Sequence, residues 1–223
     1  LFKTSGKLEK RKSIYDSMRK RVQEDLTFGI RSVIEAIKQG KTINKILLQK
    51  GLTGELVKEL LILVNKEKII VQKVPTQKLN HMVKKNHQGV IAMISPVAYH
   101  QIDWLVQEVY EKGEDPFILI LDRVKDVRNF GAIARTAECF GVHAIVIPSK
   151  DSALITNDAV KTSAGALFKI PVCKVTSLTD AVDFLIGCGL KVFACTEKSE
   201  TLINKVKSSG PKVLIMGLSL IHI

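Results

Sequence analysis

The chain has 223 residues, of which 46% are hydrophobic and 25% charged, and no apolar run approaches the roughly 20 residues that cross a bilayer. This composition is typical of a globular protein with room for two modest domains, and it argues against a membrane-spanning protein. The cysteines form no Cys-x-x-Cys pair and lie in or beside apolar segments, which favours buried thiols in a reducing compartment over disulfides or a zinc site. They are Cys139, Cys173, Cys188 and Cys195. We therefore expect no bound metal.

The positive charge is confined to the front of the chain. Residues 1–100 hold 20 Lys and Arg against 8 Asp and Glu, whereas residues 101–223 hold 14 of each, so the front accounts for the whole formal net charge of +12. One basic half beside a neutral half predicts that the front binds a polyanion, with nucleic acid as the first candidate. The alternative is that the charge serves only solubility, which does not require a one-sided distribution.

Residues 1–25 and 26–97 differ in pattern. The first segment is rich in Lys and Arg and predicts a flexible basic arm that follows phosphates; a mitochondrial transit peptide is the alternative, although its four acidic residues are unusual for one. From residue 26 the apolar periodicity predicts a small α/β domain. Its predicted elements are helix 33–37, strand 43–48, helix 54–64, strand 69–74, helix 76–84 and strand 90–95.

Residues 98–115 carry Trp104 and a polar run, and they predict a linker helix at a domain boundary. Beyond it, residues 116–217 alternate between strand and helix patterns. The predicted elements are strand 117–121, helix 132–140, strand 144–147, helix 156–164, strand 170–175, helix 178–186, strand 191–195 and strand 212–216. Such alternation predicts a parallel sheet covered by helices on both faces.

The segment after the first of these strands has the strongest functional signal. Asn129 is expected to cap helix 132–140 through its side-chain oxygen, and Gly131 to allow another backbone or a ligand to come close. Spacings of four and three predict that Ile133, Ala137 and Phe140 face the sheet, which leaves Arg135 off this stripe. Two interpretations of Arg135 stay open: a solvated side chain paired weakly with Glu138, or a cation at a ligand site on the sheet edge.

Asn129, Gly131, Arg135 and Ala137 form the pattern Asn-x-Gly-x-x-x-Arg-x-Ala, preceded by Leu121-Asp122. This pattern resembles the first motif of the SpoU branch of the SPOUT RNA ribose 2′-O-methyltransferases, with Val127 where the family usually carries Pro. The similarity extends to 161–167 with 170–172, where Gly165 is expected to end a helix and Ser163 to bond backbone. Segments 28–37 and 87–92 resemble the two ends of the RNA-substrate-binding domain that precedes many SpoU domains, a ribosomal-protein L30e-like fold.

The resemblance implies an N-terminal L30e-like substrate-binding domain followed by a Rossmann-like parallel SPOUT domain with a trefoil knot. It implies a homodimeric, cytoplasmic enzyme that uses S-adenosylmethionine to methylate RNA. Arg135 would be catalytic with Asn129 orienting it, and RNA would be bound by Arg128 and Lys125 together with Arg135. Contacts with the cofactor are expected at the carboxyl ends of two strands. The candidates there are Ala194, Cys195, Thr196 and Gly217.

The pairing of a basic L30e-like front with a SpoU core favours a guanosine ribose of large-subunit ribosomal RNA as substrate, with transfer RNA as the alternative. A non-catalytic RNA-binding protein is the strongest rival class, because the basic front alone would bind RNA. A dinucleotide-dependent oxidoreductase is disfavoured, since no Gly-x-Gly-x-x-Gly follows the first strand of the second domain.

The second SpoU motif would begin at Gly217, but the next residues, 218–223, do not continue it, and the third motif, which closes the knot, has no counterpart. The sequence therefore predicts an incomplete SPOUT domain, with 218–223 as an unrelated tail. It also predicts that this chain binds S-adenosylmethionine poorly or not at all, and that the methyl transfer belongs to the parent enzyme while this chain is inactive.

Overall fold

In the computed structural model, residues 26–195, 205 and 208–217 are described, and the chain forms two compact units that divide between Pro96 and Val97. The predicted basic arm 1–25 and the predicted tail 218–223 lie outside the described residues. Each unit is an α/β structure, so the predicted fold class is confirmed.

The first unit is built on a four-stranded mixed sheet in the order β1-β4-β2-β3, in which β2 is antiparallel to β4 and parallel to β3. Its strands are β1 (Leu26–Phe28), β2 (Ile43–Gln49), β3 (Val71–Val74) and β4 (Val90–Ile94). Its helices are α1 (Ile30–Lys38), α2 (Glu55–Lys66) and α3 (Thr76–Met82). Strand β1 had no counterpart in the sequence prediction; the other elements agree with it to within a few residues.

Alternation along β2 explains how both faces of this sheet are covered. Ile46 and Leu48 lie in one hydrophobic cluster with residues of α1 and α2. Leu47, between them, lies in a second cluster with Leu79 of α3. Because successive strand side chains point to opposite faces, α1 and α2 cover one face and the short α3 covers the other.

The second unit contains a six-stranded sheet in the order β5-β8-β7-β6-β10-β9, and every neighbouring pair of its strands is parallel. The strands are β5 (Tyr99–His100), β6 (Phe117–Asp122), β7 (Ala144–Pro148), β8 (Val172–Val175), β9 (Lys191–Ala194) and β10 (Lys212–Gly217). The helices are α4 (Ile102–Glu111), α5 (Val127–Cys139), α6 (Asn157–Thr162) and α7 (Leu178–Gly187), with a 3-10 turn at Ala166–Phe168. The predicted parallel sheet is confirmed.

Two separate hydrophobic clusters show that helices cover both faces of this sheet, as predicted. Leu105 of α4 and Leu185 of α7 pack in one cluster with Ile118 and Ile120 of β6. Residues of α5 and α6 pack in the other cluster, with Leu119 and Leu121. The strand thus divides its apolar side chains between the two layers, which is why its sequence is continuously hydrophobic.

Residues 98–115, predicted as a linker, belong to the second unit. Strand β5 pairs with β8, and three side chains of α4 are buried in the core. The Tyr110 hydroxyl donates a hydrogen bond to the Cys188 carbonyl at 2.9 Å, and this anchors the end of α4 to the end of α7. Over the described residues, the helices lack the length and apolar character that a membrane span requires.

Candidate active site at the carboxyl edge of the second sheet

Strand β6 lies between β7 and β10: the chain runs from β6 through β7 to β8 on one side and then crosses to β9 and β10 on the other side of β6. Ligands of open α/β sheets bind beyond the carboxyl ends of strands at such a position. Gly217 of β10 is in register with Asp122 of β6, and Ala194 of β9 with Ile215 of β10. The backbone N–H of Cys195 donates to the Ile215 carbonyl at 2.9 Å.

Three of the four predicted cofactor positions therefore lie along one edge of the sheet. Ala194 and Gly217 are exposed there, and Cys195 is half-buried. Thr196, the fourth, lies outside the described residues. Whether these positions contact a cofactor stays a prediction, but the structure brings Ala194, Cys195 and Gly217 to the ends of two neighbouring strands, as the sequence analysis expected.

Gly217 is in unusually close contact with Asp122. A Cβ added to Gly217 would approach the Asp122 carbonyl oxygen and would lie 2.8 Å from the Asp122 Cβ. Real Cβ atoms essentially never come this close to backbone, so any side chain at Gly217 would push the strand ends apart. This glycine thus has a packing role at the centre of the edge.

The Asp122 side chain is the least expected feature of this edge, because its carboxylate is buried at only 8% exposure. One oxygen, Oδ1, lies 3.4 Å from the Nε of Arg123, whereas Oδ2 is buried and has no hydrogen-bond partner among the residues that the structure describes. Arg123 has a φ of 56°, an unfavourable backbone conformation for a residue with a Cβ. Leaving a buried charged acceptor unsatisfied costs more than about 1–3 kcal/mol.

This acceptor is the test of whether the edge fits S-adenosylmethionine. That cofactor carries N–H and O–H donors and a net positive charge at its sulfonium centre, and a buried carboxylate oxygen complements both. The absence of side chains at Gly217 and the small side chain of Ala194 keep the neighbouring strand ends accessible. The residues at the edge therefore fit the group. Asp122 was not among the predicted site residues, although a carboxylate directly after a buried strand is the sequence signal for it.

Helix α5 begins five residues before the predicted start at Ala132, and Asp126 is its N-cap. The Asp126 Oδ1 accepts a hydrogen bond from the Asn129 backbone N–H at 2.7 Å. The prediction that Asn129 caps this helix is therefore wrong: Asn129 lies in the first turn, with its side chain exposed. Asp and Asn are both good caps, and the sequence analysis did not consider the earlier of the two.

Gly131 packs against α6. A Cβ at this position would lie 2.7 Å from the Ala159 carbonyl oxygen and 2.9 Å from the Thr162 Cβ. Of the two possibilities predicted for Gly131, the structure shows close approach of another backbone. Beyond α6, the Ser163 hydroxyl donates to the Val160 carbonyl at 2.8 Å, which confirms the predicted bond to backbone.

The buried face of α5 consists of Phe130, Ala134 and Ala137, together with Gly131. Phe140 was predicted to face the sheet but is 75% exposed just beyond the last residue of α5, so that prediction is wrong. The apolar stripe begins at Phe130, in a segment predicted to be a loop, so the predicted positions of the buried side chains on α5 were displaced.

The Arg135 side chain lies exposed on α5 and makes no hydrogen bond or ion pair with a described residue. It is solvated, as one alternative predicted, but it is not paired with Glu138, whose Oε1 instead accepts from Lys169 at 3.0 Å. Arg128, also exposed, lies seven residues earlier, which places it on the same face of the helix about 10 Å away along the axis. Asn129 is roughly 120° from Arg135 around the axis, so a role in orienting Arg135 stays a prediction.

Lys125, the third predicted RNA contact, forms an exposed ion pair with Asp151 at 2.6 Å. The hydrogen bond and the charge of Lys125 lower the pKa of the Asp151 carboxyl. An exposed pair of this kind is weak and screened by salt, so Lys125 remains available to a phosphate that displaces Asp151. The order of the chain places Lys125 immediately before α5, near the first turn with Arg128.

The second unit also has a surface groove that lies away from this edge. A groove of about 590 Å³ runs between α4 and α7 and is lined by residues such as Val106, Tyr110 and Phe184, none of which ends a strand.

Among the described residues, no cluster of His, Cys, Asp and Glu is arranged to hold a metal ion. Burial raises the pKa of the Cys173 thiol to about 12, whereas Cys139, expected to be buried, is exposed.

Comparison with known proteins matches both units. The family model of SpoU rRNA methylases covers residues 116–218, and the model described as RNA 2′-O ribose methyltransferase substrate binding covers residues 26–100. The TrmH-family tRNA/rRNA methyltransferase YacO of Bacillus subtilis is 33% identical over 195 residues, which are 87% of this chain and 78% of that protein. A homologous TrmH-family protein of Staphylococcus aureus MSSA476 is 34% identical over 88% of this chain and 79% of its own. Among solved structures, the AdoMet-bound rRNA methyltransferase from Sinorhizobium meliloti is 20% identical, with a TM-score of 0.48 over 92% of this chain and 77% of its own.

Proposed function

This chain belongs to the SpoU/TrmH family of RNA 2′-O-ribose methyltransferases, and on that premise we propose that it methylates a guanosine ribose of large-subunit ribosomal RNA with S-adenosylmethionine. The observation that supports this proposal most is the position of α5. The helix starts at the carboxyl edge of the sheet, close in sequence to the buried Asp122, and it presents Arg128 and Arg135 on one exposed face.

The cofactor supplies a methyl group on a positively charged sulfur. The protein would contribute to this transfer by placing the ribose 2′-hydroxyl and by stabilising the charge that develops on its oxygen. Arg135 contributes by binding the phosphate next to the target ribose and by facing the developing negative charge. A guanidinium stays protonated, so Arg135 does not accept the proton of the 2′-hydroxyl. In this proposal a water molecule beside the phosphate that Arg135 binds accepts that proton.

Arg128 has a different role in this proposal. It lies about two turns nearer the helix start than Arg135, and we assign it to a neighbouring phosphate, with Lys125 at the same end. A contact that is equal in the ground state and the transition state affects binding without affecting the chemical step. Ribose methylation also requires a 2′-hydroxyl, which excludes DNA as a substrate.

The test is transfer of radiolabelled methyl groups from S-adenosylmethionine to ribosomal RNA and to transfer RNA, followed by mapping of the modified nucleotide. Arg135→Ala should lower kcat by about 100-fold or more, the range for one lost charge-stabilising donor, and should weaken RNA binding far less than it lowers kcat. Arg128→Ala is the matched control on the same helix face, and it should mainly raise KM. Unchanged kcat in Arg135→Ala would remove Arg135 from the reaction.

Transfer RNA is the second candidate substrate, since relatives of this chain carry the description tRNA/rRNA methyltransferase. Methylated transfer RNA with unmodified ribosomal RNA would move the assignment to that substrate. RNA binding with no product on either RNA would support a non-catalytic RNA-binding protein instead.

A further inference from the structure

The two faces of the first unit carry very different charge. Residues 26–96 contain 12 Lys and Arg against 4 Asp and Glu, and the acidic residues lie on α1, on α2 or directly after α2. They are Glu35, Glu55, Glu59 and Glu67. Two of them form ion pairs there: Lys38 with Glu59 at 2.8 Å, and Lys58 with Glu55 at 2.9 Å. The lysines of the α1/α2 face are thus partly neutralised by neighbours.

The opposite face, covered by α3, has lysines without acidic neighbours in sequence. Residues 68–96 contain five lysines and no Asp or Glu. Lys45 of β2 lies two residues before Leu47 and therefore points to the α3 face. Burial, and secondly the charge of Lys78 on α3, lower the pKa of Lys45. A half-buried lysine held beside another lysine is stabilised when an anion binds both.

The loop from α3 to β4 adds a cavity of about 420 Å³ on this side of the unit, lined in part by Asn80, Lys84, Lys85, Asn86 and Gln88. A fourth amide, Gln49, also lines this cavity, and the oxygens of the other three amide side chains already accept hydrogen bonds. Asn86 Oδ1 accepts from the Gln88 backbone N–H at 3.2 Å, and Gln88 Oε1 accepts from the Ile30 backbone N–H at 3.2 Å.

The third amide is fixed by a buried histidine. His87 Nδ1 accepts from the Gly89 backbone N–H at 3.0 Å, so the neutral ring carries its proton on Nε2 and donates it to Asn80 Oδ1 at 2.7 Å. Asn80, Asn86 and Gln88 therefore each have the amide oxygen engaged and retain an NH2 group as donor. Two lysine ammonium groups, Lys84 and Lys85, line the same cavity. Among these five side chains there are donors and positive charge, and no carboxylate.

We propose that this donor-lined cavity, together with Lys45 and Lys78, is the site where the first unit binds the phosphodiester backbone of the substrate RNA. Phosphate oxygens are acceptors and anions, and they match the amide NH2 and ammonium groups in both respects. Base edges carry donors as well as acceptors, so a surface dominated by donors and cations favours the backbone over the bases. The inference rests on the proposed function for the identity of the RNA and on the first unit's geometry for its location.

The experiment compares two charge-matched double variants of the full chain, with fluorescence anisotropy of a labelled RNA stem-loop between about 50 and 200 mM KCl. K84Q/K85Q removes two ammonium groups from the cavity. K58Q/K66Q removes two exposed lysines from α2, on the opposite face, and lowers the net charge equally. Each lost phosphate contact should reduce the slope of log K against log salt by roughly 0.7–0.9.

We expect K84Q/K85Q to flatten the slope by about 1.5 and K58Q/K66Q to leave it close to the parent value. Equal slopes for the two variants would show that only net charge matters and would overturn the proposal. So would a K84Q/K85Q slope equal to that of the parent, or a parent chain that does not bind the stem-loop.

A second variant tests the donors separately from the lysines. Asn86→Asp keeps the oxygen that accepts from Gln88 and replaces the NH2 group by a negatively charged oxygen, so it should weaken RNA binding more than tenfold. Asn65→Asp, exposed on α2, introduces the same charge on the other face and serves as control. Equal losses in the two variants would contradict the donor-lined site. Intact binding with no methyl transfer would reject the proposed function and leave the binding site standing.

Discussion

Replacing Gly131 by Ala tests whether this glycine is needed for the contact between α5 and α6. The added Cβ would lie 2.7 Å from the Ala159 carbonyl oxygen, 2.9 Å from the Thr162 Cβ and 3.1 Å from the Ser163 backbone nitrogen. These neighbours are backbone or a β-carbon, which cannot rotate away. The helices must therefore separate by several tenths of an ångström, at a place where Ala159 and Ser163 are fully buried.

Two opposing effects set the expected free-energy change. Overpacking a well-filled contact costs about 1–3 kcal/mol. Replacing a helical glycine by alanine recovers about 1 kcal/mol through helix propensity. Gly187→Ala isolates the second effect, because Gly187 is the last residue of α7 and a Cβ there would meet nothing within 4 Å. The difference between the two variants should therefore approximate the overpacking cost, and it falls below that cost to the extent that helix propensity counts for less at a helix end.

Thermal unfolding followed by circular dichroism measures this difference directly. At about 2–4 °C per kcal/mol for a chain of this size, Gly131→Ala should unfold roughly 2–12 °C below Gly187→Ala. If both variants unfold at the same temperature, α5 and α6 accommodate a methyl group between them. In that case the close approach is not the reason for a glycine at position 131.

Three further results are expected. Asp126→Ala should lower the free energy of unfolding by about 1 kcal/mol, measured by urea titration, because it removes the cap of α5; an unchanged value would show that another group satisfies the Asn129 N–H. Asp122→Asn should weaken binding of S-adenosylmethionine about tenfold in calorimetry while retaining an acceptor for Arg123, and equal affinity would exclude Asp122 from the cofactor site. Iodoacetamide at pH 8 should alkylate Cys139 long before Cys173, since burial and a pKa of about 12 keep the Cys173 thiol protonated. Mass spectrometry would follow the order of alkylation, and earlier modification of Cys173 would contradict this prediction.

The sheet of the second unit was predictable from its sequence because its strands are buried on both faces. Continuous apolar runs such as 117–121 are separated by helix patterns, and this combination has few solutions other than a parallel sheet with helices on both sides. The cap of α7 was also predictable, since the Ser177 hydroxyl accepts from the Asp180 N–H at 3.1 Å. A local sequence signal was sufficient here because only one residue, Ser177, was suitable as the N-cap of α7.

Predictions failed where two residues competed for one role or where the pairing partner was distant. Asp126 and Asn129 are both suitable caps within one turn, and the choice between them sets the phase of the apolar stripe and the orientation of every side chain on α5. Strand β5 has two residues, too few to show alternation, and it exists because β8, more than 70 residues later, offers it an edge. Neither outcome follows from a window of neighbouring residues.

The motif on α5 divides into residues that the fold explains and residues that it does not. Asp126 caps the helix, Gly131 admits α6, and Ala137 is buried against the sheet. Asn129 and Arg135 are exposed and contribute no contact to a described residue through their side chains, so stability gives no reason for either at its position. The buried Asp122 oxygen at that edge, which has no partner among the described residues, is costly for folding, and the exposed Arg135 adds no contact that offsets this cost. Both groups become favourable when a cofactor and an RNA phosphate occupy that edge, so the mechanism must be sought in these side chains.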